Sequence, residues 1–158
     1  MLSLIQIIFG WYAADLLTGI YHYFIDNYGS PKTPIFGKQI EEFQLHHRKP
    51  TEFLKNDAWT SLKLPLLGSL PFILLSFFNP YFFLPLAIGI AFSQWFHKWS
   101  HQVNPWYISI FQKTGIILPY DEHRKHHISF DRYYCIVNGW GNGLLDLILD
   151  LLRPWGFR

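Results

Sequence analysis

The chain has 158 residues, enough for one domain, with 13 Lys and Arg against 11 Asp and Glu and a formal net charge of +2. Half of it is hydrophobic, 20% is aromatic and only 15% is charged, against about 25% charged in ordinary soluble domains, which points toward lipid. The small charge, with no Lys/Arg run or basic stripe, sets aside nucleic acid as a partner, and Cys135, the single cysteine, excludes an intrachain disulfide.

Leu2 to Tyr21 form a first apolar stretch interrupted by one charge, Asp15. At about 1.5 Å per residue a helix of this length crosses a hydrocarbon core of about 30 Å, so one spanning helix is expected. A cleaved secretory signal is the competing reading, but no basic segment precedes the apolar run. His22 and Asp26 follow at the end of this helix, one turn apart and therefore on one face. His46 and His47 come next, in FQLHHRKP.

A second apolar region runs from Leu62 to Phe96 and is broken at Asn79-Pro80, a turn signal. It reads as a helical hairpin, spanning or re-entrant, kinked by Pro65, Pro71 and Pro85, and its two ends emerge on the same side. HKWSH closes the second arm with His97 and His101 one turn apart, and HRKHH places His123, His126 and His127 at i, i+3, i+4. The stretches Trp106 to Leu118 and Leu144 to Leu152 mix apolar and polar positions, are too short to span, and are expected to lie at the interface. All 13 Lys and Arg lie after Tyr21 and none lies in the Asn79-Pro80 turn. The positive-inside rule then puts residues 27–60 and 97–158 in the cytoplasm and the N-terminus on the exoplasmic side. The expected fold class is all-α: an integral membrane helical bundle of one spanning helix, a helical hairpin and interfacial helices, with 1–158 as a single domain.

The eight histidines thus fall in four groups on one expected membrane side. Neutral imidazole ligates iron, zinc, copper and nickel, and pairs three or four residues apart on a helix present two nitrogens on one face. Neighbouring histidines differ by about 100° and diverge, so His46 with His47, and His126 with His127, are suited to serve two different ions. Eight imidazoles exceed what one tetrahedral zinc needs, and two metals fit the count. A protease of the HExxH type is ruled out by Lys98 after His97, and no GxSxG nucleophile elbow is present. GWGNG, from Gly139 to Gly143, has no room around it for a dinucleotide-binding strand-helix-strand unit. Asp15 lies two turns before His22 on the same helical face and is a candidate to orient that ring, or to make a packing hydrogen bond.

The segment ADLLTGIYHYFIDNYGSPKTPIFGKQIEEFQLHHRKP, with FHKWSHQ and LPYDEHRKHHISFDRYYCIVNGWGN, resembles the Kua-type lipid desaturases in four ordered boxes covering most of the chain. The first half is similar to the plant branch of that family and the later boxes are shared with its animal branch. The resemblance implies a membrane di-iron site that uses oxygen to remove two hydrogens from a lipid chain, with electrons from a cytochrome b5 or a ferredoxin. It implies a phospholipid acyl chain or a plasmalogen precursor as substrate. Carried over box by box, the metal-site residues are His22, Asp26, His46, His47, His97, His101, His123, His126 and His127. Asp26 stands where other membrane desaturases have a histidine, as a direct ligand or as an orienting group behind one, with the orienting role preferred. Asn142 is a candidate to reach metal through a water, or a turn residue. Two other outcomes fit the same residues: a lipid hydroxylase with the same site, and a non-catalytic membrane carrier of haem or metal.

Overall fold

The computed structural model describes residues 1–156, which form seven α-helices and two short 3-10 turns. Helix α1 (Leu2–Asn27) runs past the expected span, so His22 and Asp26 are carried on the same rigid rod as the apolar segment. Helix α2 (Gly37–His46) ends on the first histidine of its pair, and a 3-10 turn (Glu52–Lys55) leads to α3 (Ala58–Leu75). The start of α3 is fixed by Asp57, whose carboxylate accepts the Thr60 backbone N–H at 2.9 Å and the Thr60 hydroxyl at 2.8 Å. Helix α4 (Pro80–Trp99) begins where Asn79 accepts the Phe82 N–H at 3.3 Å, with Pro80 in the first turn, where a missing donor does no harm. The hairpin expected from Asn79-Pro80 is therefore present, with arms of 18 and 20 residues.

Helix α4 is the central post. Helices α1 and α3 each pack along it and scarcely touch one another. The α1–α4 contact is close because small residues meet there: Gly10 lies against the Phe82 carbonyl, and a Cβ added at Gly89 would sit 2.5 Å from that of Ala14. Ala14, Leu86, Ile90, Phe96, Ile117 and Val137 make the buried core between them. A second cluster of Tyr23, Tyr134, Cys135, Leu145 and Leu149 joins α1 to the 130–141 segment and to α7 (Asn142–Leu152).

Two shorter helices complete the fold, α5 (Trp106–Lys113) and α6 (Tyr120–Ser129), the latter carrying HRKHH. The helix expected over 106–118 stops at Lys113, because Gly115 turns the backbone to φ +70° and the chain then runs back across α1, where Trp11 donates its indole N–H to the Ile116 carbonyl at 2.8 Å. Outside these contacts much apolar surface is uncovered. Helices α1 and α3 are long and apolar enough to cross a bilayer, yet only 28% and 11% of their apolar windows are buried. The hairpin tip presents Phe77 and Phe78 at 86% exposure each. A core helix of a soluble protein buries such a surface.

Candidate metal centre

All eight histidines converge with Asp26 into two adjoining groups. The first comprises His46, His97, His101, His123 and His127, and the second His22, Asp26, His47 and His126. Within each group one ligand atom from every member lies within 4.8 Å of the others. The neighbouring pairs diverge as helical geometry requires: His46 and His127 face the first group while His47 and His126 face the second. The groups abut, with the His22 and His97 ring centres 5.6 Å apart and those of His47 and His127 5.4 Å apart.

In the first group four Nε2 atoms form a closed ring of contacts. His46 to His97 is 3.1 Å, His97 to His123 2.8 Å, His123 to His127 3.0 Å and His127 to His46 2.9 Å. A nitrogen of neutral imidazole either carries a proton or offers a lone pair, never both. At most two of four such contacts can therefore be full N–H···N hydrogen bonds, since donors must alternate with acceptors and each donor has one proton. The Nε2 of His101 is buried without a hydrogen-bond partner. These five residues could each turn one nitrogen lone pair to a shared cation, so they suit a metal ion.

Burial holds the rings neutral, assisted by repulsion between neighbouring imidazoles. It lowers His101 to about 4 and His127 to about 3, and puts His46 and His123 well below the ordinary histidine range. These are the protonation states that a metal needs. Phe53 roofs the group, 4.5 Å from the His46 ring and 4.9 Å from that of His97.

In the second group a single carboxylate oxygen faces three imidazoles. Asp26 Oδ2 lies 2.8 Å from His47 Nε2, 3.1 Å from His22 Nε2 and 3.3 Å from His126 Nε2. Asp26 Oδ2 thus lies among the converging ring nitrogens, a placement open to the first of the two roles offered by the sequence, direct ligand. The far sides of two rings are pinned: His22 donates its Nδ1–H to the Tyr134 carbonyl at 2.9 Å, and His126 donates its own to the Arg132 carbonyl at 2.7 Å. A carbonyl can only accept, so Nδ1 carries a proton in both rings, and in the neutral ring the Nε2 lone pair is turned into the site. Burial lowers His126 to about 4, against the raising effect of Asp26.

Asp15 does not reach His22. Its buried carboxylate accepts the backbone N–H groups of Val137 and Asn138 at 2.9 Å each, Gly139 at 3.1 Å and Gly141 at 2.8 Å. The orienting partner of His22 is instead the Tyr134 carbonyl, at the other end of the loop that Asp15 holds. The GWGNG turn is the same loop, and Gly139 takes φ +85° to wrap its amides around the carboxylate. Asn142 points at the loop too, accepting the Cys135 N–H at 2.9 Å through its side-chain oxygen. The sequence offers no signal for the Tyr134 and Arg132 carbonyls, because backbone atoms carry no residue identity. Asp146 was also missed; it stands on the buried face of α7 with Asn142, Leu145 and Leu149, and an acid on the buried face of an apolar helix is the signal that finds it.

A cavity of about 540 Å³ opens between α1, α3 and α4, within the range of about 300–1,000 Å³ usual for ligand sites. Leu17, Leu64, Leu67, Gly68, Phe72 and Ile90 make its walls apolar. Gln39 and Gln94 line this cavity and also a small polar pocket that reaches His46 and His97. Gln94 precedes His97 by one helical turn, and Gln39 is held by a short hydrogen bond from the Tyr21 hydroxyl. The side chains of two amides therefore stand between the apolar space and the small pocket beside His46 and His97.

Comparison with known proteins gives the same direction. The chain is 36% identical to fatty acid desaturase 4, chloroplastic, of Arabidopsis thaliana, over 87% of its own length and 46% of that protein. It is 31% identical to the plasmanylethanolamine desaturase of Myxococcus xanthus, over 93% of the chain and 57% of that protein. It is likewise 31% identical to plasmanylethanolamine desaturase 1 of Mus musculus, over 93% of the chain and 61% of that protein. The chain spans about half the length of the curated relatives it matches. No solved structure matches it. Residues 11–153 match the family described as the lipid desaturase domain, taking in every histidine and both flanking acids, and the chain belongs to that family.

Proposed function

We propose that this chain is a membrane-embedded desaturase that introduces a double bond into an acyl or alkyl chain of a phospholipid, using two iron ions, O2 and an external electron donor such as a cytochrome b5 or a ferredoxin. The observation that carries this reading is the convergence of all eight histidines and Asp26 on two adjoining centres, with an apolar cavity nearby across Gln39 and Gln94. His46, His97, His101, His123 and His127 hold one ion, and His22, Asp26, His47 and His126 the other, with 1–158 acting as a single domain. Bound iron would activate O2, the oxidant, so that a –CH2–CH2– unit, O2, two electrons and two protons become –CH=CH– and two waters. The protein's own part is to seat the hydrocarbon chain between α1, α3 and α4 and to keep bulk water from the reacting carbons.

The uncovered apolar faces of α1 and α3 support a bundle in which α1 spans and α3 with α4 forms the hairpin. Because the Lys and Arg residues lie past Tyr21 and avoid the hairpin tip, the histidines face the cytoplasm and the N-terminus the exoplasmic side. The test is metal analysis of the purified protein together with lipid profiling of cells expressing wild type or His126→Ala. About two irons per chain are expected from the two ligand sets, with a wild-type product lighter than its substrate by two hydrogens. Zinc alone, or a product heavier by one oxygen, would overturn the reading.

A further inference from the structure

The loop between α6 and α7 presents two peptide groups edge-on to the Asp26-centred site. In the unit joining Arg132 to Tyr133 the carbonyl accepts from His126 Nδ1 at 2.7 Å, while the N–H donates to Asp146 Oδ1 at 3.2 Å. In the unit joining Tyr134 to Cys135 the carbonyl accepts from His22 Nδ1 at 2.9 Å, while the N–H donates to Asn142 Oδ1 at 2.9 Å. Each peptide is thus the middle of a three-part chain, from a side-chain oxygen on α7, through an amide, to an imidazole. Hydrogen bonds in series polarise one another, and an acceptor on the N–H makes the carbonyl at the other end a better acceptor.

We infer that Asp146 and Asn142 are positioning residues for the Asp26-centred site: Asp146 acts on His126, and Asn142 on His22, each through one peptide group. The inference rests on the metal reading of that site given above. The two relays differ in one respect, a carboxylate on the His126 branch and a neutral amide on the His22 branch.

Other features of the loop fit this role better than simple packing. Tyr133, between the two relay peptides, is held at φ +63°, a left-handed conformation unfavourable for a bulky side chain. A trans peptide points its carbonyl and its N–H in opposite directions, so each unit reaches a histidine on one side and α7 on the other, and Tyr133 is the turn of the chain between the two units. Asp15 fixes the far end of the same loop by four amides. Asp150, one turn beyond Asp146 on α7, accepts from neither relay N–H and pairs at the surface with the side chains of Arg132 and Arg153. It serves as the control for charge alone.

The experiment uses full-length protein in detergent with Asp146→Leu, Asn142→Leu, Asp146→Asn, Asn142→Asp and Asp150→Asn. In metal-free samples labelled with 15N-histidine, wild type is expected to show His22 and His126 as single Nδ1–H tautomers. Asp146→Leu should turn only His126 into a tautomer mixture, and Asn142→Leu only His22. In iron-loaded samples each Leu variant should weaken one of the two ions by about 10–100-fold, the usual effect of losing an outer partner of a ligating histidine. The isosteric pair keeps the hydrogen bond and changes only charge, so it remains informative should a Leu variant fail to fold. Asp146→Asn should raise the midpoint potential and Asn142→Asp should lower it, with Asp150→Asn leaving it unchanged. Unaltered ring tautomers in the Leu variants, same-sign potential shifts in the charge pair, or an equal shift from Asp150→Asn would each overturn the inference. A wild-type protein that binds no iron would instead end the metal reading, and the ring spectra would still decide whether the relays exist.

Discussion

Imidazoles packed this closely stay together only while uncharged. The rings of His101 and His126 are lowered to about 4 and that of His127 to about 3, against about 6.5 in an unfolded chain. Between those values the unfolded state binds more protons than the folded one, so folding stability rises with pH across that interval. The metal-free protein should therefore be fully stable above about pH 6.5 and lose thermal stability progressively as pH falls toward 4, which a melting series in detergent would measure. A melting temperature flat across that interval would contradict the packing of neutral rings. Asp15 is the other residue on which much depends. Asp15→Leu leaves three buried N–H groups and one half-buried one without an acceptor and should cost about 3 kcal/mol or more, whereas Asp15→Asn, which keeps one oxygen, should lose clearly less in the same assay. The histidine spacing announced the site because i, i+4 pairs and adjacent doublets have a geometric meaning in any helix. What the residues could not announce is that Asp15 acts on backbone amides, or that two main-chain carbonyls set the rings of His22 and His126. Long-range contacts of the backbone leave no trace in residue type.

At the scale of elements, the α1–α4 crossing depends on the absence of side chains at Gly10 and Gly89. Gly89→Leu should force the two helices apart at about 1–3 kcal/mol, the usual cost of overpacking, and chemical denaturation would show it. The cavity wall is a second test. A Cβ at Gly68 has room, its nearest neighbour being Ile90 at 3.8 Å, so a small side chain is tolerated there while a large one fills the space. Gly68→Phe should leave iron content unchanged and shift product profiles toward shorter chains, as lipid profiling would reveal. Equal use of long and short chains by the variant would separate this cavity from the substrate. The hairpin was legible because Asn79 and Pro80 are strong local signals for a cap and a first turn. The early stop of α5 was not, since it follows from Gly115 and a hydrogen bond to Trp11, distant in sequence. GWGNG was legible only as a turn, because its partner, Asp15, lies on another helix.

For the whole molecule, sidedness is directly testable because Cys135, the only cysteine, is fully buried and gives little background. Cysteine introduced at Phe78, on the hairpin tip, should react with an impermeant thiol reagent added outside spheroplasts or vesicles of native orientation. Cysteine at Val103, fully exposed beyond α4, should react only from the cytoplasmic side. The reverse pattern would invert the assignment drawn from Lys and Arg. The arrangement of α3 also has a consequence for how the molecule meets its surroundings. Helix α3 leans on α4 alone, and Pro65 and Pro71 delete two rungs of its hydrogen-bond ladder. In the membrane setting proposed above, the cavity it leaves beside α1 would take a hydrocarbon tail from the leaflet without an aqueous phase to cross. Turnover should then track the fluidity of the surrounding lipid, dropping abruptly when a reconstituted bilayer is cooled through its gel transition while the folded protein itself is unaltered.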